Sequence, residues 1–179
     1  MMKKIIDHYL TKLVERGINA IPGRVEVEMA DRQQDPHEEW RTWYPIPSQV
    51  TDGELNALER KIGYPLPKTY RQFLKYKHFY ALPLWECSFA PHPVAGWQKS
   101  LLDKMRLHPP KYLTERGRIP FADWSDWGLL CFDTTAECED HDYPVGLWDH
   151  EREAEFERKY VNFEQMLIAL DREERELAC

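Results

Sequence analysis

Residues 51–77 constrain the fold of this chain more than any other stretch, because they predict two short helices joined by a proline corner. Thr51 is a favourable N-cap, and Glu54, three residues later, can complete a capping box. Apolar residues then recur at i, i+3 and i+7, which places them on one helical face. These residues are Leu55, Leu58 and Ile62.

The corner itself is specified by glycine and proline. Gly63 tolerates a left-handed backbone, and Pro65 and Pro67 prevent the first helix from continuing. Pro67 also suits the first position of the next helix. The apolar stripe of that helix consists of Tyr70, Phe73 and Leu74. Two stripes that meet at a rigid corner predict a helical pair that forms part of a core, and they name no chemistry.

The composition is that of a globular protein with an acidic balance. The 179 residues carry 31 acidic and 24 basic side chains, which give a formal charge of −7. A direct nucleic-acid partner is therefore disfavoured, since phosphate binding requires clustered lysine and arginine. A basic protein partner is compatible with this charge. We expect a single domain over residues 1–179, since the length suits one sizeable core.

The cysteines favour a reduced protein without a metal centre. Cys87, Cys131, Cys138 and Cys179 show no CxxC spacing, which disfavours structural zinc. The N-terminal residues do not resemble a signal peptide, and no segment approaches the roughly 20 apolar residues of a membrane span. We therefore expect a cytoplasmic protein with no cofactor and no membrane partner.

The rest of the chain predicts helices at both ends and strands between them. Helices are expected over 2–16 and 96–107 and after the N-cap Asn162. Strands are expected at 25–29, 81–89, 118–122, 128–133 and 144–150, with the second bent near Pro83. A short connector, DWSDW, indicates a hairpin, and the next connector is long and acidic. Consecutive strands between helices are typical of an α+β fold with a largely antiparallel sheet.

Three sequence blocks resemble the SUKH superfamily, the Smi–Knr group of yeast cell-wall regulators and their bacterial relatives. They are ELNALERKIGYPLPKTYRQFLK at 54–75, RIPFADWSDWGLLCFDT at 118–134, and PVGLWDHE followed by NFEQMLIAL. The resemblance covers roughly residues 46–170, and residues 1–45 are an addition to it. KHFYAL replaces a glycine pair common in relatives, and tryptophans occupy a loop that is often glycine-rich.

The resemblance implies an α+β fold with a curved sheet flanked by helices. For bacterial members it also implies a frequent role as immunity proteins that neutralise polymorphic toxins, often nucleases. The superfamily offers no accepted catalytic motif to carry over onto this chain. A regulatory scaffold is a further possibility within the binding class.

An enzymatic alternative rests on carboxylates and imidazoles, the ingredients of metal-assisted hydrolysis. These side chains are Asp133, Glu137, Asp140, His141, Asp142, Asp149 and His150. Their spacing matches neither HExxH nor a calcium-binding loop. Nucleophile motifs are also missing, because Ser100 and Ser125 have no GxSxG context. We expect no catalytic residues and no metal ligands, and metal content would separate a hydrolase from a binding protein.

A binding hypothesis uses the same acidic segment together with nearby aromatic residues. Tryptophan is a frequent interface anchor, and acidic groups steer a basic partner into contact. The predicted partner-binding residues are Trp124, Asp126, Trp127, Glu137, Glu139, Asp140, His141 and Asp142. In this hypothesis the loop mimics phosphate in the basic cleft of a toxin, with Trp124 as the anchor, and the chain is a monomer or weak homodimer. Core positions for Trp127 and Trp148, and ordinary solvation of the loop, stay open as alternatives.

Overall fold

The computed structural model describes residues 1–35, 37–152 and 155–177, with the side chain of Asp140 left outside the description. Its α-helices are Met2–Glu15 (α1), Asp52–Ile62 (α2), Lys68–Leu74 (α3), Trp97–Arg106 (α4) and Phe163–Leu177 (α5). Its strands are Ala20–Pro22 (β1), Trp40–Thr42 (β2), Ile46–Pro47 (β3), Lys77–His78 (β4), Pro83–Leu84 (β5), Cys87–Phe89 (β6), Arg118–Trp124 (β7), Gly128–Asp133 (β8), Val145–Asp149 (β9) and Phe156–Tyr160 (β10). Short 3-10 turns occupy Pro110–Tyr112, Thr114–Arg116 and Glu139–His141.

The main sheet has six antiparallel strands in the order β10-β9-β8-β7-β6-β5. Each strand pairs with its neighbour in sequence, so the sheet is a meander that stays open between β10 and β5. Two smaller pairs, β1 with β2 and β3 with β4, are also antiparallel. The predicted α+β class with a largely antiparallel sheet is confirmed.

The predicted proline corner is present with its capping box. The Thr51 hydroxyl accepts a hydrogen bond from the backbone N–H of Glu54 at 3.3 Å, and the Glu54 carboxylate accepts one from the Thr51 N–H at 2.8 Å. Gly63 ends α2 in the left-handed region, with φ of 80°. Since an L side chain is strained in this conformation, glycine allows the abrupt stop that starts the corner.

The two apolar stripes of the corner face the same core as the sheet. Leu58, Phe73, Leu74 and Leu130 are all buried in one hydrophobic cluster. A smaller cluster lies apart from it and contains Trp148, which confirms the core position considered for that residue. The helical pair and the central strand β8 therefore stabilise each other by packing.

The strand predicted at 25–29 is wrong. The segment forms a turn, in which the Glu26 carboxylate accepts hydrogen bonds from the backbone N–H groups of Val94 at 2.5 Å and Ala95 at 2.9 Å. Alternation of valine and glutamate suggested an exposed strand, but Glu26 satisfies the backbone donors of a distant loop instead. The first strand, β1, lies earlier in the chain.

Two further elements differ from the expectation. Residues 81–89 form the two-strand hairpin β5–β6, with Trp85 and Glu86 in its turn, rather than one bent strand. The edge strand β10 had no predicted counterpart, because its sequence FERKY places charged residues between its two aromatic ends. Charged side chains are common on edge strands, where they discourage pairing with other chains.

A stacked pair of buried histidines joins β4 to the segment before α4. The rings of His78 and His92 have centroids 4.9 Å apart, and their residues are 0% and 3% exposed. The backbone N–H of Gln49 donates to His78 Nε2 at 2.9 Å, so His78 Nδ1 carries the proton that it donates to the His92 carbonyl at 3.0 Å. His92 Nε2 lies 2.8 Å from the Leu74 carbonyl and must donate to it. His78 is therefore neutral. Burial, followed by the neighbouring His78, lowers the pKa of His92 to about 3, so His92 is also neutral at pH 7.

The corner helices predict a large stability effect at Leu74. Leu74→Ala should lower the free energy of unfolding by about 2–5 kcal/mol, the usual cost of a large-to-small change in a packed core. Leu107→Ala is a matched control, because Leu107 is exposed and should cost less than about 0.5 kcal/mol. Denaturant unfolding measures both values. A Leu74→Ala loss no larger than that of the control would contradict the packing described.

The buried histidine pair predicts that the folded protein loses stability in acid, at pH values above those at which carboxylates usually titrate. Unfolded histidine titrates near 6.5, whereas His92 in the folded protein titrates near 3, so the unfolded state binds more protons between these values. Stability should therefore decrease as the pH falls below 6.5, by about 2 kcal/mol for this one group at pH 5.

Denaturant unfolding at pH 7 and pH 5 tests the histidine prediction. His92→Gln keeps an amide donor for the Leu74 carbonyl but cannot titrate, so its stability should depend less on pH over this interval. Equal pH dependence in the two proteins would show that the buried imidazole is not the source.

Candidate functional site

The acidic connector between β8 and β9, residues 134–144, is held in a defined conformation; we call it the acidic loop. Glu139–His141 forms a 3-10 turn. Tyr143 is buried in the main core, and its hydroxyl lies 3.1 Å from His141 Nδ1. The Asp142 carboxylate accepts a hydrogen bond of 2.9 Å from the hydroxyl of Thr69 in α3. The loop is therefore attached to the corner helices at its C-terminal half.

Half of the described side chains in the acidic loop are exposed and available to a partner. Glu137, Glu139 and His141 are exposed, whereas Asp142 is half-buried by its bond to α3. Desolvation, followed by the Asp142 carboxylate, raises the pKa of the Cys138 thiol. A raised pKa reduces the thiolate fraction, so this cysteine is a poor nucleophile.

A groove of about 520 Å³ lies between the acidic loop and the two corner helices; we call it the corner groove. Its lining includes Asp52, Glu59, Lys68, Arg71, Lys75 and His141. Charged and polar residues from α2, from α3 and from the loop thus share one concave surface.

The centre of the corner groove is an ion-pair network around Arg71. Its guanidinium donates to the Glu59 carboxylate at 2.7 Å, to the Asn56 side-chain oxygen at 3.0 Å and to the Asp52 carboxylate at 3.3 Å. Lys75 Nζ donates to the second Asp52 oxygen at 2.8 Å. The bond to Glu59 raises the pKa of Arg71, and the bond to Lys75 lowers the pKa of Asp52. These charges are already paired and oriented, which suits recognition of a polar surface rather than proton transfer.

The structure separates the predicted tryptophan anchor from the acidic loop. Gly128, the first residue of β8, pairs with Trp124, whereas the loop follows Asp133 at the other end of that strand. Five residue steps of about 3.4 Å put the two ends about 17 Å apart. Trp124 is also only 5% exposed, and Lys159 Nζ lies 5.1 Å from its ring centroid. The expectation that Trp124 is an accessible anchor beside the loop is therefore wrong.

The other two hairpin residues of the binding hypothesis lie with Trp124 at the β7–β8 turn. Asp126 is exposed, and Trp127 is half-buried against the main core. The partner-binding residues predicted from the sequence thus fall into two groups at opposite ends of β8. Asp140 belongs to the loop group by its backbone, and its side chain lies outside the description.

The side chains considered for metal-assisted hydrolysis also lie in separate groups at opposite ends of the sheet. Asp149 and His150 lie at the hairpin end of the sheet, where Asp149 pairs with Gly128. Asp133, at the other end, accepts hydrogen bonds of 2.6 Å from Arg158 and from Thr135. Among the side chains that the structure describes, no group of three His, Cys, Asp or Glu is placed to share a metal ion.

Sequence reasoning missed the charged residues of the corner groove. Glu59 and Arg71 are 12 residues apart and meet only because the proline corner folds α3 back onto α2. A signal was present in the polar faces of the two helices, since one carries carboxylates and the other carries lysine and arginine. The apolar stripes of these helices predict the core contact and do not reveal the charged faces.

A known protein family matches more than half of the chain. The family model described as SMI1 / KNR4 family (SUKH-1) matches residues 49–169, and a search of curated proteins found no match. No helix in the described ranges combines the length and the apolar character that crossing a bilayer requires. The family match covers more than half of the chain and includes the proline corner, the meander of β5–β10 and the acidic loop. The chain therefore belongs to the SMI1 / KNR4 family (SUKH-1).

Proposed function

We propose that this protein is an immunity protein, which binds a polymorphic toxin in the cytoplasm and neutralises it without catalysing a reaction. Membership of the SUKH-1 family supports a protein-binding role. The observation that carries the proposal is the acidic loop, which displays the exposed side chains of Glu137 and Glu139 from a backbone held by α3. A prearranged acidic surface can dock without first losing conformational freedom, which favours binding.

The charge of the loop indicates the chemistry of the partner. A toxin that cleaves nucleic acid must display lysine and arginine in its cleft to bind phosphate. Glu137, Glu139 and the other acidic residues of the loop would occupy such a cleft as phosphate mimics. The net charge of −7 would also accelerate the approach of a basic protein.

The corner groove extends this contact face. Its ion pairs hold Arg71 and Lys75 against Asp52 and Glu59, so these two cations are largely neutralised by their own neighbours. A basic toxin would therefore contact the acidic loop and, beside it, the polar surface of the corner groove. Asp126 and Trp127 would join the interface only if the partner also covered the β7–β8 hairpin.

The first test concerns the toxin itself. A toxin reading frame next to the gene for this protein should encode a product that stops growth when expressed alone. Co-expression of this protein should restore growth, and the two proteins should copurify. A regulatory scaffold would bind a partner without restoring growth, and that outcome would contradict the immunity proposal.

The role of the acidic loop predicts a specific kinetic effect. Replacing Glu137 and Glu139 by glutamine should lower the association rate with the toxin several-fold at low salt, because steering depends on unscreened charge. The difference should shrink as salt is added, and the melting temperature should stay within about 1 °C, since both residues are exposed. Surface plasmon resonance at several salt concentrations measures these rates.

A matched control separates the local effect from the effect of net charge. Glu15→Gln with Glu28→Gln removes the same two charges from exposed positions that precede the family match. This control should reduce the association rate less than the loop variant does. Equal rates in the two variants would remove the loop from the interface, even if the toxin is still neutralised.

A further inference from the structure

A second groove, of about 290 Å³, lies where α1 meets the β5–β6 turn; we call it the Trp85 groove. Its apolar lining consists of Tyr9, Leu13, Ile18, Pro83 and Trp85. Most of these residues precede the segment that matches the family model. The groove therefore depends on the N-terminal addition and is separate from the face proposed to bind a toxin.

Two large apolar side chains that line the groove are exposed. Ile18 is 58% exposed and Trp85 is 38% exposed. Single exposed apolar residues are ordinary on a protein surface, but two that line one concavity are typical of a contact site. Tryptophan in particular is enriched at the energetically dominant positions of interfaces.

The turn that presents Trp85 is held in place by α5. Trp85 has a φ of 56°, in the left-handed region that few residues other than glycine adopt. Its backbone N–H donates to the Glu174 carboxylate at 3.0 Å, and the other Glu174 oxygen accepts from Lys12 of α1. One carboxylate thus connects α5, α1 and the hairpin turn, and it holds the backbone from which Trp85 lines the groove.

Of the two cations that line the groove, Lys12 has a carboxylate partner among the described residues and Arg16 has none. Lys12 is neutralised by its ion pair with Glu174. Arg16, the C-cap residue directly after α1, lines the groove and is exposed, and no carboxylate in the described part of the chain pairs with it. The hydroxyl of Tyr9 is buried beside Glu174, where it makes no hydrogen bond of standard geometry with a described residue. An apolar lining next to the guanidinium of Arg16, which has no carboxylate partner among the described residues, favours a ligand that combines an apolar group with a carboxylate.

We propose that the Trp85 groove binds a segment of a partner protein in which an aromatic or aliphatic side chain lies next to an acidic residue. The apolar side chain packs on Trp85 and Ile18, and the carboxylate pairs with Arg16. Sites for drug-sized molecules usually measure about 300–1,000 Å³. A volume of about 290 Å³ is at the lower limit of that range, which suits one or two side chains of a peptide better than a larger cofactor.

This partner differs in charge from the proposed toxin. The acidic loop is suited to a basic surface, whereas the Trp85 groove is suited to an acidic, apolar segment. Binding at the groove can therefore be measured without a toxin, and its failure leaves the immunity proposal unaffected. Separate experiments test the two proposals.

Labelled hexapeptides with two central apolar residues test the groove directly. The probes are DELFDE, DEIWDE and DEVLDE, titrated with the full-length protein and followed by fluorescence anisotropy. At least one should bind saturably below 1 mM. The lysine counterpart KKLFKK and the apolar-deleted counterpart DEGSDE should bind at least tenfold more weakly, because each lacks one of the two required features.

Two substitutions locate the binding. Trp85→Gly removes the indole while tolerating the left-handed backbone, so the fold should be kept and peptide affinity lost at least tenfold. Arg16→Glu should also lower the affinity at least tenfold. Arg106→Glu, the same change at an exposed arginine of α4, is the matched control and should leave the affinity unchanged.

The results that would overturn the proposal are specific. The proposal is wrong if no acidic probe binds saturably up to 1 mM. It is also wrong if the Trp85→Gly, Arg16→Glu and unchanged proteins bind the probes with equal affinity. The oligomeric state of the protein without peptide, measured by sedimentation, is a further test. A dimer that Trp85→Gly dissociates would show that a second copy of the chain covers the groove, in place of a peptide.

Discussion

The contact between Tyr70 and Phe132 determines where the candidate site lies. Their ring centroids are 5.0 Å apart, in an edge arrangement within the main core. Tyr70 follows Thr69, which binds the acidic loop, and Phe132 lies one residue before the end of β8, where that loop begins. Phe163 of α5 packs against both rings, at 5.1 and 6.2 Å. Helix α3, strand β8 and helix α5 therefore position the loop through the same aromatic cluster, since buried aromatic rings combine a large apolar area with a specific geometry.

Local sequence signals predicted the parts of this arrangement that local forces decide. The capping box of Thr51 and Glu54, the stop at Gly63 and the bounds of β8 all involve residues close together in the chain. The prediction that the acidic loop and Trp124 form one interface was wrong, because it did not take the order of the strands into account. In an antiparallel meander, successive connectors lie at alternate ends of the sheet. The predicted sheet thus already required the DWSDW hairpin and the acidic loop to lie at opposite ends.

Other errors came from long-range partners that no local pattern contains. VEVEM alternates like a strand, yet the Glu26 carboxylate is bound by backbone donors 68 and 69 residues away. FERKY does not look like a strand, yet β9 supplies a partner for it. The ring of Phe156 lies over Gly146 of β9, where an added Cβ would fall 2.4 Å from it, so the absence of a side chain at Gly146 allows β10 to pair there. Tertiary contacts outweighed β-propensity at both places.

The two proposed surfaces share a scaffold but not their contact residues. The acidic loop is held by α3, through Thr69, within the segment that matches the family. The Trp85 groove is held by Glu174, beyond that segment, where α5 meets α1. Changes at sites that share no partner usually have additive effects. A peptide in the groove should therefore leave toxin affinity unchanged unless it moves α5, since the Phe163 end of that helix packs against the rings that position the loop.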